Sequence, residues 1–164
     1  MKKIITALMI ALLFVGCSKD EVQTDVEPLL VVGKTLNLDL KDQFEKPQAL
    51  KADTTKVIFA FSKDMAHICN DYFVTQAPTY LVDNNAAFVA DVSAAPSLIR
   101  SMFILPGLKD FKHTVLLLDD KTLASPYRAT QDTEKIVVVY LNNNKIVEIK
   151  NISSEDELKA VISK

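Results

Sequence analysis

The apolar positions change period several times along the chain, and each change predicts an element. Leu36, Leu38 and Leu40 alternate with polar residues, the period of a strand with one buried face, and DQFEKPQ then turns the chain back. Residues 57–61 (VIFAF) form a continuous apolar run, as in a strand buried on both faces. Met65, Ile68, Cys69, Tyr72 and Phe73 follow at spacings of three and four, which draws one stripe along a helix. Ser62 and Asp64 stand where they can cap that helix. Residues 87–92 predict another strand, and residues 97–105 a short helix that Pro106-Gly107 should stop. Residues 113–118 predict a third buried strand, and residues 121–124 a brief helical turn before Pro126.

The last third carries the clearest local signal. KIVVVYL and KIVEI flank Asn142-Asn143-Asn144, and asparagine tolerates the positive φ of a tight hairpin. Ser154 and Glu157 have the spacing of a capping box, after which Leu158, Val161 and Ile162 mark the core face of a final helix. Strands alternating with helices, then a hairpin and a helix, predict an α/β layered domain. Crossover helices require parallel pairings, and the hairpin supplies an antiparallel edge.

Before this domain the pattern is different. Lys2-Lys3 precedes the apolar run ITALMIALLFVG, which is too short for a membrane anchor but fits a secretory signal. The ending Phe14-Val15-Gly16-Cys17 resembles a bacterial lipobox, with phenylalanine where leucine is usual. The resemblance implies cleavage before Cys17, acylation of Cys17 and tethering to a membrane on its periplasmic side. Ser18 after the cysteine favours the outer membrane in a Gram-negative cell. The expected organisation is a signal peptide over 1–16, a polar acidic tether over 17–28 and one domain over 29–164.

Charge and composition then exclude several function classes. Loss of Lys2 and Lys3 with the signal takes the formal net charge from −2 to about −4 without any basic run, which argues against nucleic acid as a partner. The chain holds only three glycines and no G-x-x-x-x-G-K or G-x-G-x-x-G, so no phosphate-cradling loop is expected. No cofactor is expected. With Cys17 acylated, Cys69 is left as an unpaired thiol in a compartment that permits disulfides.

The order of elements resembles the thioredoxin fold, and its details resemble the peroxiredoxin and thiol-peroxidase branch. LNLDLKDQFEKPQAL is similar to the opening hairpin of those proteins, and DVSAAPSLIRSMFILPGLKDFKHTVLLLDDKTLASPY to the middle of thiol peroxidases. The fold class implied is a thioredoxin-like α/β domain, a central mixed sheet flanked by helices with an N-terminal hairpin extension. In FSKDMAHIC, Cys69 falls where peroxiredoxins keep the peroxidatic cysteine, Ala66 on their threonine and Ser62 on their proline. Lys135 stands where the family arginine precedes the final hairpin, and Phe103 where thiol peroxidases keep a resolving cysteine. Ala66 has no hydroxyl, and Lys135 keeps a charge without the planar fork of donors. The absence of any C-x-x-C excludes a dithiol cycle. Peroxiredoxins often pair with themselves, so a homodimer is among the expected states.

The resemblance makes Cys69 a candidate peroxidatic thiol with Lys135 as candidate electrostatic support, oxidised to a sulfenic acid and reduced by an external thiol. Against this, Cys69 shares the apolar stripe of its helix, and free cysteine is among the most buried residue types. His67 should point away from Cys69 on a regular helix, and His113 lies far off in sequence, a weak metal pattern. Asp119-Asp120 and Glu155-Asp156-Glu157 fit turns and helix starts better than paired-carboxylate catalysis. No spacing selects Tyr127 or Arg128. The two readings carried forward are a membrane-anchored accessory or binding module with a protein partner, and a single-cysteine thiol peroxidase.

Overall fold

A computed structural model describes residues 26–163. The expected signal, Cys17 and most of the tether lie outside them. Among the described residues no helix is long and apolar enough to cross a membrane.

Seven strands form one mixed sheet in the order β2-β1-β5-β4-β3-β6-β7. Strand β3 (Lys56–Ala60), buried at every position, pairs in parallel with the middle strand β4 (Ala86–Asp91) and antiparallel with β6 (Ile136–Asn142). On the far side of β4 lies β5 (Leu116–Leu118), again parallel. A hairpin closes each edge: β1 (Asp39–Asp42) with β2 (Pro47–Ala49), and β6 with β7 (Lys145–Ile152). Asn143 and Asn144 turn the second hairpin at φ 48° and 62°, the left-handed pair that a two-residue turn requires.

Because successive strand residues point to opposite faces, the apolar runs feed two cores. Ile58, Ala60, Phe88, Ala90, Ile136 and Val138 face one layer, formed by α1 (Lys63–Val74), α6 (Glu155–Ile162) and the helical segment over 97–109. Val57, Phe59, Val89, Leu118, Val137 and Val139 face the other, where α5 (Lys121–Arg128) packs with Leu30, Leu36 and Leu38. A four-residue helix, α2 (Tyr80–Asp83), precedes β4 and was not foreshadowed by periodicity.

Two prolines behave differently from the sequence expectation. The segment over 97–109 does not stop at Pro106-Gly107 but runs as α3 (Ser97–Ile99), a π segment (Arg100–Ile104) and α4 (Leu105–Lys109). The wider π turn re-registers the hydrogen bonds, so Pro106 lands in the first turn of α4, where its missing N–H costs nothing. Likewise Pro126 sits inside α5 and does not end it. Asp120 anchors the start of α5 by accepting from the Thr122 and Leu123 amides at 2.8 and 3.1 Å, and Ala129 N–H still reaches Ser125 O at 3.0 Å.

Both ends of α6 are satisfied by side chains. Ser154 Oγ accepts from Glu157 N–H at 3.3 Å, while Glu157 Oε2 accepts from Ser153 N–H at 2.8 Å. At the other end Lys56, largely buried under the sheet, donates to Val161 O and Ile162 O at 3.2 and 3.0 Å. Burial lowers the pKa of that ammonium, and the C-terminal carbonyls of the helix give it a partner.

Candidate functional site

The parallel strands β3, β4 and β5 all end at one edge of the sheet, the edge where open α/β sheets place their ligands. The loop from β3 into α1 begins with Ser62. Its backbone is extended at the N-cap position, yet its side chain caps nothing, and Oγ is buried without a hydrogen-bond partner. Helix α1 then starts at once, so Cys69 is its seventh residue, well past the first turn where the helix dipole acts on a thiol.

Cys69 faces the sheet and has no solvent exposure. It belongs to the cluster of Ile58, Ala60, Tyr72 and Phe73, and Ala66 packs against the same cluster. Burial pushes the thiol far above its ordinary range, and no positive charge offsets that effect. Lys135 spends its ammonium elsewhere, donating to Ser153 Oγ at 2.8 Å near the start of α6. Phe103 lies on the π segment and is 64% exposed. His67 is exposed, as the helix geometry predicts.

His113 is also far from the surface. Its Nε2 lies 3.0 Å from Asn70 Oδ1 and donates to it, so Nδ1 is the bare ring nitrogen, buried without a partner. Phe73, Phe88 and Phe111 enclose the ring. Among the described residues no group of three or more His, Cys, Asp or Glu side chains converges as a metal site would require.

The polar chemistry at this edge lies instead beside β4 and α5. Asp91 ends β4 with a fully buried side chain. Its Oδ1 accepts from Ser93 N–H at 2.8 Å, and its Oδ2 faces Arg128 Nη1 at 3.3 Å, an ionic contact without hydrogen-bond alignment. Arg128, at the end of α5, is partly open to a cleft of about 620 Å³ that Ser93, Lys121, Ser125 and Thr133 also line. A second cavity, of about 240 Å³, lies at the opposite end of β4 and β5 near Thr54, Leu81 and Asn85. No spacing in the sequence selects Arg128, Asp91 or Ser93. The available signal was a carboxylate closing an otherwise apolar parallel strand. Tyr127, the other residue no spacing selected, stacks on Phe59 at 5.9 Å in the core.

Solved structures whose fold resembles this one include peroxidoxin BcpB from Mycobacterium tuberculosis, with a TM-score of 0.50, 14% identity, and coverage of 80% of this chain and 94% of that one. The fold is thioredoxin-like. This thioredoxin-like chain is also similar to the thioredoxin domain of a thiol-disulfide oxidoreductase from Bacteroides vulgatus (TM-score 0.52, 11% identity, 82% and 97% covered). A third is the exposed lipoprotein thioredoxin of Streptococcus pneumoniae (TM-score 0.51, 12% identity, 78% and 98% covered). No family model matches the sequence, and no curated protein matches it either. At such identities the likeness is one of backbone architecture, a mixed sheet with helices on both faces. The site residues of this thioredoxin-like domain stand on their own geometry.

Proposed function

We propose that the protein is an envelope-anchored thioredoxin-fold module that binds a partner and carries out no thiol catalysis. The observation that carries this reading is the sealed Cys69: no exposure, a thiol pushed upward by burial, and no cation acting on it. The thiolate is the reactive form of cysteine, and a thiol in such surroundings is held neutral and out of reach of peroxide. The lipobox-like Phe14-Val15-Gly16-Cys17 supports anchoring through acylated Cys17, facing the periplasm. One of the solved structures that share the fold is itself named an exposed lipoprotein, which is in line with a lipid anchor.

The test is a direct oxidation. In a slight excess of hydrogen peroxide with a sulfenic-acid trap, followed by mass spectrometry, native Cys69 is expected to react at least about a thousandfold more slowly than in the denatured chain. Access then requires an opening that the folded core opposes. Oxidation as fast as that of free cysteine would return the single-cysteine peroxidase, with an external thiol as its reductant. A separate measurement checks the anchor. Cys17→Ser is expected to move the protein from the membrane fraction to the soluble fraction or leave it as an unprocessed precursor. Acylated mature protein that persists in the variant would remove Cys17 as the attachment point.

A further inference from the structure

Helix α5 presents Lys121, Ser125 and Arg128 to the cleft beside β4, spacings of four and three that place them on one face. The opposite wall is Ser93-Ala94, and Thr133 closes one side. What these residues offer is strongly biased towards hydrogen-bond donation. Lys121 and Arg128 carry donors only. Among the described residues, Arg128 touches the protein's polar groups through Nη1 alone, and Lys121 makes no hydrogen bond or ion pair. Ser93 is 3% exposed, and its buried Oγ has no partner although it borders the cleft. An orphaned hydroxyl in such a place is costly unless a ligand completes it.

The surrounding charges define what fits. Asp91 pairs with Arg128 from behind, so of the two cations in the lining only Lys121 has no carboxylate within ion-pair distance. Asp120 is committed to capping α5, accepting from the Thr122 and Leu123 amides, and the Arg100 guanidinium, which holds Ala95 O at 3.2 Å, adds a smaller attraction. Asp132 accepts from Glu134 N–H at 3.0 Å, and both acidic residues flank Thr133 in the exposed loop, which disfavours a multiply charged ligand. A planar guanidinium pairs with an oxyanion through two parallel donors, and its edge away from Asp91 is available for that geometry.

We infer that this cleft is a binding site for a singly charged carboxylate, held by Arg128 and Lys121, with the Ser93 hydroxyl donating once a χ1 rotation turns it from its buried position to the cleft. The ligand is a small organic acid or the free C-terminal carboxylate of a peptide. The inference rests on the binding reading above and names a ligand class for it, but it makes no use of Cys69.

The test uses the full chain, isotopically labelled and purified in a neutral detergent, with the amides of Ser93, Ala94 and Ala129 and the Arg128 Nε–H followed by NMR. Acetate and trialanine should each shift these signals saturably, whereas acetamide and trialaninamide should not. Ser93→Ala and Lys121→Gln leave the Asp91–Arg128 pair intact, and each should weaken acetate binding by about tenfold or more, the effect of one hydrogen bond to a charged group. Trialanine binding more tightly than acetate would identify a peptide terminus, and equal or weaker binding a small acid. Shifts that never saturate, that acetamide reproduces, or that both variants leave unchanged would overturn the site. So would inorganic phosphate binding more tightly than acetate. Any of these results leaves the oxidation rate of Cys69 as a separate judgement on the binding reading.

Discussion

Phe73→Ala lowers the stability of the domain by about 3–5 kcal/mol, the range for removing a buried phenylalanine from a packed core. Phe73 is 2% exposed, and its ring lies 5.3 Å from Phe88, 5.4 Å from His113 and 5.6 Å from Tyr72. Three rigid rings around the vacated space cannot move together to fill it, so the cost falls towards the upper end of that range. Urea unfolding should show a lower midpoint with an unchanged slope. Val74→Ala, one position along and 55% exposed, should change stability by less than about 0.5 kcal/mol. A Phe73→Ala loss below about 1.5 kcal/mol would mean that the rings do collapse, and that the aromatic cluster is looser than its spacings indicate.

Acidification has the second large effect. Burial pushes His113 down to about 4 from its ordinary 6.5, because a proton on Nδ1 would place an unpartnered charge among aromatic rings. The unfolded chain takes that proton near pH 6.5 and the folded chain only near pH 4. Between these values the unfolded state binds more protons, so stability is full above pH 6.5 and falls as pH drops towards 4. The loss from this one group is roughly 2–3 kcal/mol. Asn70 is the hydrogen-bond partner that faces the ring, and Phe73, Phe88 and Phe111 make up the aromatic walls. His113→Leu should therefore flatten the stability profile between pH 6.5 and 4, whatever it does to stability at pH 7. The carboxylates of Asp120 and Glu157, held below their usual range by backbone amides, act at lower pH and are common to both proteins. Parallel profiles for the two proteins would show that His113 is protonated without strain.

The layered architecture was legible because it depends on period. Apolar runs at 57–61 and 136–141 have no polar face, which forces them into the middle of a sheet, and both are there. The Asn143-Asn144 turn and the Ser154–Glu157 cap were legible because their chemistry is local. The prolines were misleading for the opposite reason. Whether Pro106 or Pro126 ends a helix depends on how the backbone before it is hydrogen-bonded, and a π turn leaves no mark in residue type. The position of Cys69 within α1 was readable, and so was its apolar company. Its complete seclusion was not, because that depends on the sheet and on α6 closing over the helix from distant parts of the chain. The cleft at Arg128 was hidden by the same kind of distance. Asp91, Ser93 and Arg128 are brought together only when β4 and α5 pack at one edge.

The clamp of Lys56 on Val161 and Ile162 bears on the order in which the chain can become a protein. The third strand is made early, but one of its neighbours is β6 and its lysine is answered only by the last carbonyls of α6. A ribosome or an export channel that has delivered the first two thirds of the chain has released a central strand with one flank open and a cation without its partner. Until β6 and α6 have emerged, β3 lacks one of its two sheet neighbours and Lys56 lacks the carbonyls that accept from it. The last helix thus completes the interior of the sheet as well as its own layer.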